Sequence, residues 1–543
     1  MRVIDHIHRP TAAFRAENGV TMIIAMLVML VTSLLLVAAF TAANGDTNLS
    51  HIDLTQKQAY YAALAGAQEY EYKLEASPDY WETCPEPKGP VPGEPSESYA
   101  VTMLAASSAP STENTCSEAK PPANPFKTLI ESKGALANTF RIKSIGKSGT
   151  SKRSLIATFQ VAGFLDYSYF TQYEDADPES YGSSKPECAN YRAKRKALGI
   201  NCETPGHPSG PGTIYFGSGD SVNGPMHTDD TAVVCGGVEF GRKTRLEAKE
   251  PDAVEMNGGA ELGGCGSGNP IYNTTSGKPE TKGPELVAPE SDGSLKAYVE
   301  HEPQSYEFSG RTLLVLEGEK SPAKIKVTTF PGGVKKEQSI EWPKNGLIYI
   351  KDSESGSGCE YTKFEQENTD TTTTYKKEEN CGSVYVKGTY SSSLTIAAEK
   401  DIIIYGNIEE TGVTPPAPPS GTTTLGLIAT RFIRVYHPCS GGNNSSSGPA
   451  GGYLQEPWIY AAILSTSHSF LVDNYSCGRG MGNLDVYGAI AQKFRGIVGI
   501  LGGGGYEKEY IYDERLATDE PPYFLAPLKA GWRIERQTAP EGG

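Results

Sequence analysis

From Val20 to Ala43 the chain carries no charged side chain. This run of roughly 24 residues is enough helix to cross a hydrocarbon core of about 30 Å at 1.5 Å per residue, and the sequence holds no second run like it. A cleaved secretory signal has a shorter apolar core, about 7–15 residues, with small residues behind it, so this run is too long for one. A single-pass anchor fits the length. Arg2, Arg9 and Arg15 ahead of it hold the short leading segment in the cytoplasm and put the bulk of the chain outside.

Helical spacing continues past the apolar run. Leu49, Ile52, Gln56, Ala59, Ala63, Ala67, Tyr70 and Leu74 recur at steps of three and four, while Asp53, Lys57, Gln68, Glu69, Glu71 and Lys73 lie largely off that stripe. Ser77-Pro78 marks an end and Asn44-Gly45-Asp46 a kink between the halves. The pattern predicts one rod of about 57 residues, about 85 Å long by helical rise, apolar in its first half and amphipathic in its second.

The leader ending in Gly19, the apolar run directly behind it, and the segment Gln58-Ala59-Tyr60-Tyr61-Ala62-Ala63-Leu64-Ala65-Gly66-Ala67 resemble the N-terminal region of PilX-type minor pilins of type IV pili and related pseudopilins. The resemblance implies cleavage by a membrane prepilin peptidase between Gly19 and Val20, methylation of the new N-terminus, and packing of the helix against other pilins. Most major pilins carry Phe at the first mature position and Glu at the fifth, where this chain has Val20 and Ile24. A carboxylate at the fifth position would meet a neighbour's terminal amine in an apolar fibre core, where an unpaired charge is costly. Lacking it, the chain suits a specialised place at a tip or in an initiating complex, and the plain anchor stays open beside the pilin reading.

Lys+Arg total 49 against Asp+Glu 65, a formal charge of -16, which argues against a nucleic-acid-binding surface. The basic cluster Arg192-Ala193-Lys194-Arg195-Lys196 reads as a solvated loop. Ten cysteines stand beyond the apolar run with no C-x-x-C spacing, so an exported segment with disulfides is favoured over metal or redox chemistry. Pairing neighbours gives Cys84 with Cys116, Cys188 with Cys202, Cys235 with Cys265, Cys359 with Cys381, and Cys439 with Cys477. Sequence alone leaves that connectivity a hypothesis.

In chain order the expected organisation is a leader at 1–19, the helix at 20–76, a Pro-rich linker at 77–135 and a small β-hairpin region at 136–170. A first β-solenoid part follows at 205–300, a β-rich insert at 301–390, a second solenoid part at 391–500 and a closing segment at 501–543. The hairpin rests on Thr139–Gly146 and Ser154–Phe164 about a Gly-Lys-Ser-Gly turn; pilins pack such a sheet on the exposed half of the rod. The fold class is therefore mainly β behind one long helix. The solenoid, a parallel β-helix, rests on short apolar clusters separated by Gly, Asn and Asp turns. Its clearest units begin at Ile396, Ile428, Ile463 and Ile490. An immunoglobulin-like sandwich also uses many short strands, but the likeness of these units to one another favours the solenoid. Asp485–Gly496, Gly505–Leu516 and Pro521–Phe524 resemble the closing segment of large pilus-associated proteins that join a PilX-like rod to a β-helical head.

Catalysis is not expected. His227-Thr228-Asp229-Asp230 is the one compact His and carboxylate group and reads as a turn between rungs; Ser218-Gly219-Asp220-Ser221 is not a nucleophile elbow, and His207, His301, His437 and His468 stand alone. No P-loop, zinc helix or calcium loop is present, so no cofactor or metal is expected. The sequence thus predicts a single-pass, membrane-inserted pilin-like subunit with a large extracytoplasmic head. Its partners would be other pilins, the prepilin peptidase, the membrane and an unidentified surface or glycan ligand. The rival is an anchored envelope β-helix that binds or cleaves polysaccharide, with His227 and Asp229 as its test residues.

Overall fold

The computed structural model describes residues 20–77, 80–105, 139–177, 179, 214–242, 251–281, 283, 285–300, 304–353, 380–438, 454–475, 480–527 and 532–538. Among these described residues it is mainly β, with 41% in strands, behind one helix. That helix, α1, runs from Val20 to Ala76 over 57 residues and passes through Asn44-Gly45-Asp46 without a break. Glycine in a helix interior costs only about 1 kcal/mol, a minor loss against the rest of so long an element.

The lower half of α1 lies on an antiparallel sheet of five strands. In chain order these are β1 (Lys88–Val91), β2 (Glu94–Leu104), β3 (Thr139–Ser148), β4 (Ser151–Val161) and the C-terminal strand Trp532–Thr538. The β3–β4 hairpin pairs Ser148 with Ser151 across Gly149-Thr150. The sheet corrects two expectations. Residues within the stretch read as a linker, 77–135, form β1 and β2, because Tyr99, Val101 and Met103 alternate and turn inward onto Phe140, Ile142 and Phe159. The C-terminal strand pairs not with the head but with β4, Trp532 opposite Val161. The head is therefore inserted between β4 and its edge neighbour.

Beyond β4 the strands stack in parallel ladders. Starting from one end, the first ladder runs through Tyr306–Ser309, Leu347–Lys351, Leu394–Ala398, Leu425–Ala429, Trp458–Ser465 and Asn483–Arg495. It continues through β5 (Tyr169–Ala176), Met226–Thr228 and Val254–Met256. A second ladder joins Thr312–Glu317, Val384–Tyr390, Ile402–Glu410, Ile433–Val435 and Phe470–Val472. A third carries Asn483–Arg495 on through Glu507–Tyr512, Ser221–Asn223, Glu239–Phe240 and Ile271–Tyr272. Ile348, Ile396, Leu427, Ile463, Ile490, Tyr169, Met226 and Val254 form one column through the main core. Cys235 and Cys265 are joined by a disulfide with Cα atoms 4.8 Å apart.

Residues 301–390 are not a separate insert. Their strands supply members of the first two ladders, and the antiparallel pair Lys324–Thr329 and Lys336–Ile340 covers the end of the second. Of the four expected units, those at Ile396, Ile463 and Ile490 share one register, and the fourth is out by a residue: Leu427, not Ile428, stands beside Ile396. The alternation that normally fixes register is missing there because both faces are buried. Tyr349, Ala397, Ile428, Leu464, Ala491 and Phe170 form an outer column packed under the short helix Gly293–Val299 and residues 286–288.

Candidate functional site

The surface that most constrains function is α1 with the sheet beneath it. Thr21–Ala43 is apolar and long enough to cross a membrane, and none of its most apolar stretch is buried against the rest of the chain. Met22, Leu27, Leu30, Leu34, Leu36 and Phe40 are each about three-fifths or more exposed. So large an unburied apolar surface marks a membrane or protein interface.

Farther along, Ala59, Ala63, Ala67, Tyr70 and Leu74 of the predicted stripe are fully buried, together with Ala62. Ile52 of the same stripe is 50% exposed. The sheet ends near Thr55, whose hydroxyl lies 2.9 Å from that of Ser151, so nothing remains to cover Ile52. Small residues bring helix and strand together. A Cβ at Gly146 would stand 2.0 Å from the carbonyl oxygen of Ala59, and one at Gly66 would meet the Ser144 hydroxyl at 2.5 Å. Tyr70 packs edge-on to Tyr80 at 5.3 Å and against Phe159 at 5.7 Å, and burial raises its hydroxyl pKa strongly.

The expected processing site lies at the upper end of this helix. Val20 is its first residue; Gly19 lies outside the described residues. Cys84 is disulfide-bonded and Cys381 is buried. Cys116, Cys188, Cys202, Cys359, Cys439 and Cys477 lie outside the described residues, as do residues 192–196, His207 and His301.

The head's His and carboxylate group falls only partly in a turn: Asp229 and Asp230 form the bend between the strands Met226–Thr228 and Ala232–Val234. His227 lies on a central strand of the first ladder and is fully buried. Its Nδ1 is 2.8 Å from Glu255 and its Nε2 3.0 Å from Asp229. Tyr167 donates to Glu255 at 2.9 Å, and Phe170 stacks on the imidazole at 5.7 Å. Burial opposes protonation of His227, but the two carboxylates outweigh it and raise the pKa. The arrangement is an ion cluster that satisfies a buried charge.

Sequence reasoning missed Glu255 because it lies one rung away, opposite His227 in register. It likewise missed that His468 has partners. Its Nδ1 is 2.8 Å from Asp177 and its Nε2 2.9 Å from Glu179. His437 is buried, with Nδ1 3.0 Å from the carbonyl oxygen of Asp473, and burial lowers its pKa. Ser218-Gly219-Asp220-Ser221 is structural: Asp220 accepts a hydrogen bond from the Gly217 amide at 2.7 Å and pairs with buried Lys508 at 2.5 Å. Among the described residues no group of three His, Cys, Asp or Glu is arranged to hold a metal.

No family model and no curated protein matches the chain. Among solved structures, the chain is similar to the competence-associated pilin ComZ from Thermus thermophilus, with 10% identity and a TM-score of 0.33 over 90% of this chain and 98% of that one. A likeness at that score is too slight to bear on function.

Proposed function

We infer that the chain is a pilin-like subunit of a type IV pilus or pseudopilus, of the PilX minor type, with its stacked ladders forming the rungs of a β-solenoid head. The observation that carries this reading is α1 itself: one continuous helix, bare and apolar over Thr21–Ala43 and sealed by alanines onto an antiparallel sheet over Ala59–Leu74. An anchor alone does not need its helix to continue as the spine of a folded module.

In this reading a prepilin peptidase cuts between Gly19 and Val20, the new N-terminus is methylated, and the apolar half leaves the bilayer by packing against other pilin helices. The large head, tied to the module at both ends, opposes close lateral packing and favours a rare tip or priming position. The head serves adhesion or subunit contact and is not an enzyme.

The test is the mass and N-terminal sequence of the protein recovered from its native membranes. A chain starting at Val20 and heavier by one methyl group is expected. An intact leader, or a start beyond Ala43, overturns the reading and leaves an anchored or secreted envelope protein.

A further inference from the structure

On the side facing the apolar span, the helix–sheet module ends in a basic surface. Lys147 and Lys152 are direct partners across the β3–β4 hairpin, next to its turn, and both are exposed. Like charges set opposite one another on paired strands are unfavourable unless an anion lies between or near them. Behind them is an open groove of about 640 Å³ whose lining includes Lys57, Tyr60, Tyr61, Lys143, Lys152 and Arg153. Lys57 is paired with Asp53 at 2.8 Å, and Arg153 donates to Gln56 Oε1 at 2.7 Å. Among the described residues no carboxylate lies within ion-pair distance of Lys143, Lys147 or Lys152. This cationic excess stands out on a chain of formal charge -16.

Its position points to the anion. The hairpin meets α1 at Thr55 and Gln58, and Thr55 lies about 18 Å beyond Ala43 at 1.5 Å per residue. A headgroup layer of about 5–8 Å and a screening length of about 8 Å cover most of that distance. Lysine stems extending toward the interface cover the rest.

We propose that Lys147 and Lys152 at the hairpin tip, with Lys143 and Arg153 behind them, hold the phosphate groups of anionic phospholipid in the leaflet below the head, fixing the module upright on the bilayer before assembly. This rests on the reading that Thr21–Ala43 spans a membrane. The source of the phosphate is lipid because the hairpin packs on the same continuous helix whose apolar half forms the span.

The test uses the full chain reconstituted in phosphatidylcholine vesicles doped with phosphatidylglycerol, read by electron spin resonance of spin-labelled lipids of each kind. The wild-type chain is expected to hold phosphatidylglycerol over phosphatidylcholine by about threefold or more, since lysines near an anionic surface are attracted to it. The triple variant K143Q/K147Q/K152Q and high salt should each remove most of that preference, and K143R/K147R/K152R should keep it.

Absence of motionally restricted lipid of either kind means that the span is not in the bilayer, and the membrane reading itself falls. Restricted lipid without preference, or a preference that the glutamine variant retains, overturns the clamp while leaving the span in place. A flat lipid preference together with loss of affinity for a short single-stranded oligonucleotide in the same variant reassigns the surface to nucleic acid and also overturns it.

Discussion

His468 shows how a single side chain ties distant parts of this chain together. It follows the strand Trp458–Ser465 and stacks on Phe432 at 4.6 Å, yet its two nitrogens bind Asp177 and Glu179, just beyond β5. Burial alone would lower its pKa; the hydrogen bonds and charges of the two carboxylates outweigh that and push it up to about 9. The same contact holds the Glu179 carboxyl below its ordinary range. A histidine with a raised folded pKa contributes stability that is complete below its unfolded value and is lost as pH rises through the folded one. His468→Gln is therefore expected to lower stability by about 1.5–3 kcal/mol at pH 6, the range for hydrogen bonds to charged groups, and by little above pH 9.5. Thermal unfolding of both chains across that window checks it. A deficit of equal size at both ends would mean lost packing, not charge. None of this was legible in sequence, where His468 stands alone between Ser467 and Ser469 and its partners lie almost three hundred residues earlier.

Among the elements, α1 was the most legible because a helix announces itself twice, by an uncharged run and by a three-four spacing. Only the limit of its buried stripe, between Ile52 and Ala59, needed the sheet to set it. The ladders were legible as repeats but not in register. In a two-faced buried strand the hydrophobic pattern does not say which side chains point inward, and the unit at Leu427 was misplaced for that reason.

One pairing carries a cost of its own. Asp485 and Glu509 face each other on adjacent parallel strands. Burial, then Glu456, pushes Asp485 up to about 6; burial, then Asp485 and Glu239, pushes Glu509 up to about 7. A carboxyl with a raised folded pKa favours the fold while protonated and loses that advantage as pH rises through the folded value. Asp485→Asn is expected to raise stability by at least about 1 kcal/mol at pH 8 and to change little at pH 4. Urea unfolding at the two pH values decides it, and a loss at pH 8 would show that the ionised carboxylate is a favourable partner here.

At the scale of the whole molecule, the chain crosses from the small sheet into the ladders at β5 and comes back only with its last strand. From β5 it lays down Met226–Thr228 and Val254–Met256 in one direction. It then restarts at the far end with Tyr306–Ser309 and returns rung by rung until Asn483–Arg495 lies against β5. The C-terminal strand afterwards covers the edge of β4. Removing residues 528–543 should leave that edge bare, and a bare edge is a template for pairing between chains. The truncated chain in detergent is expected to self-associate at concentrations where the intact one does not, as sedimentation would show. An unchanged oligomeric state would mean that the edge is protected by something else.

By itself the sequence determined the elements whose signal is local: the apolar span, the alanine stripe, the β3–β4 hairpin and the presence of repeated short strands. Each depends on spacing within a few residues, and spacing is what a sequence records. Tertiary structure decided what depends on partners far apart in the chain. It placed the C-terminal strand on β4, set β5 between rungs from both halves of the head, closed His227 between Asp229 and Glu255, and fixed the column through Ile396 and Leu427. Such contacts form only once the chain has folded back on itself, and no periodicity within either partner encodes which distant residue it will meet.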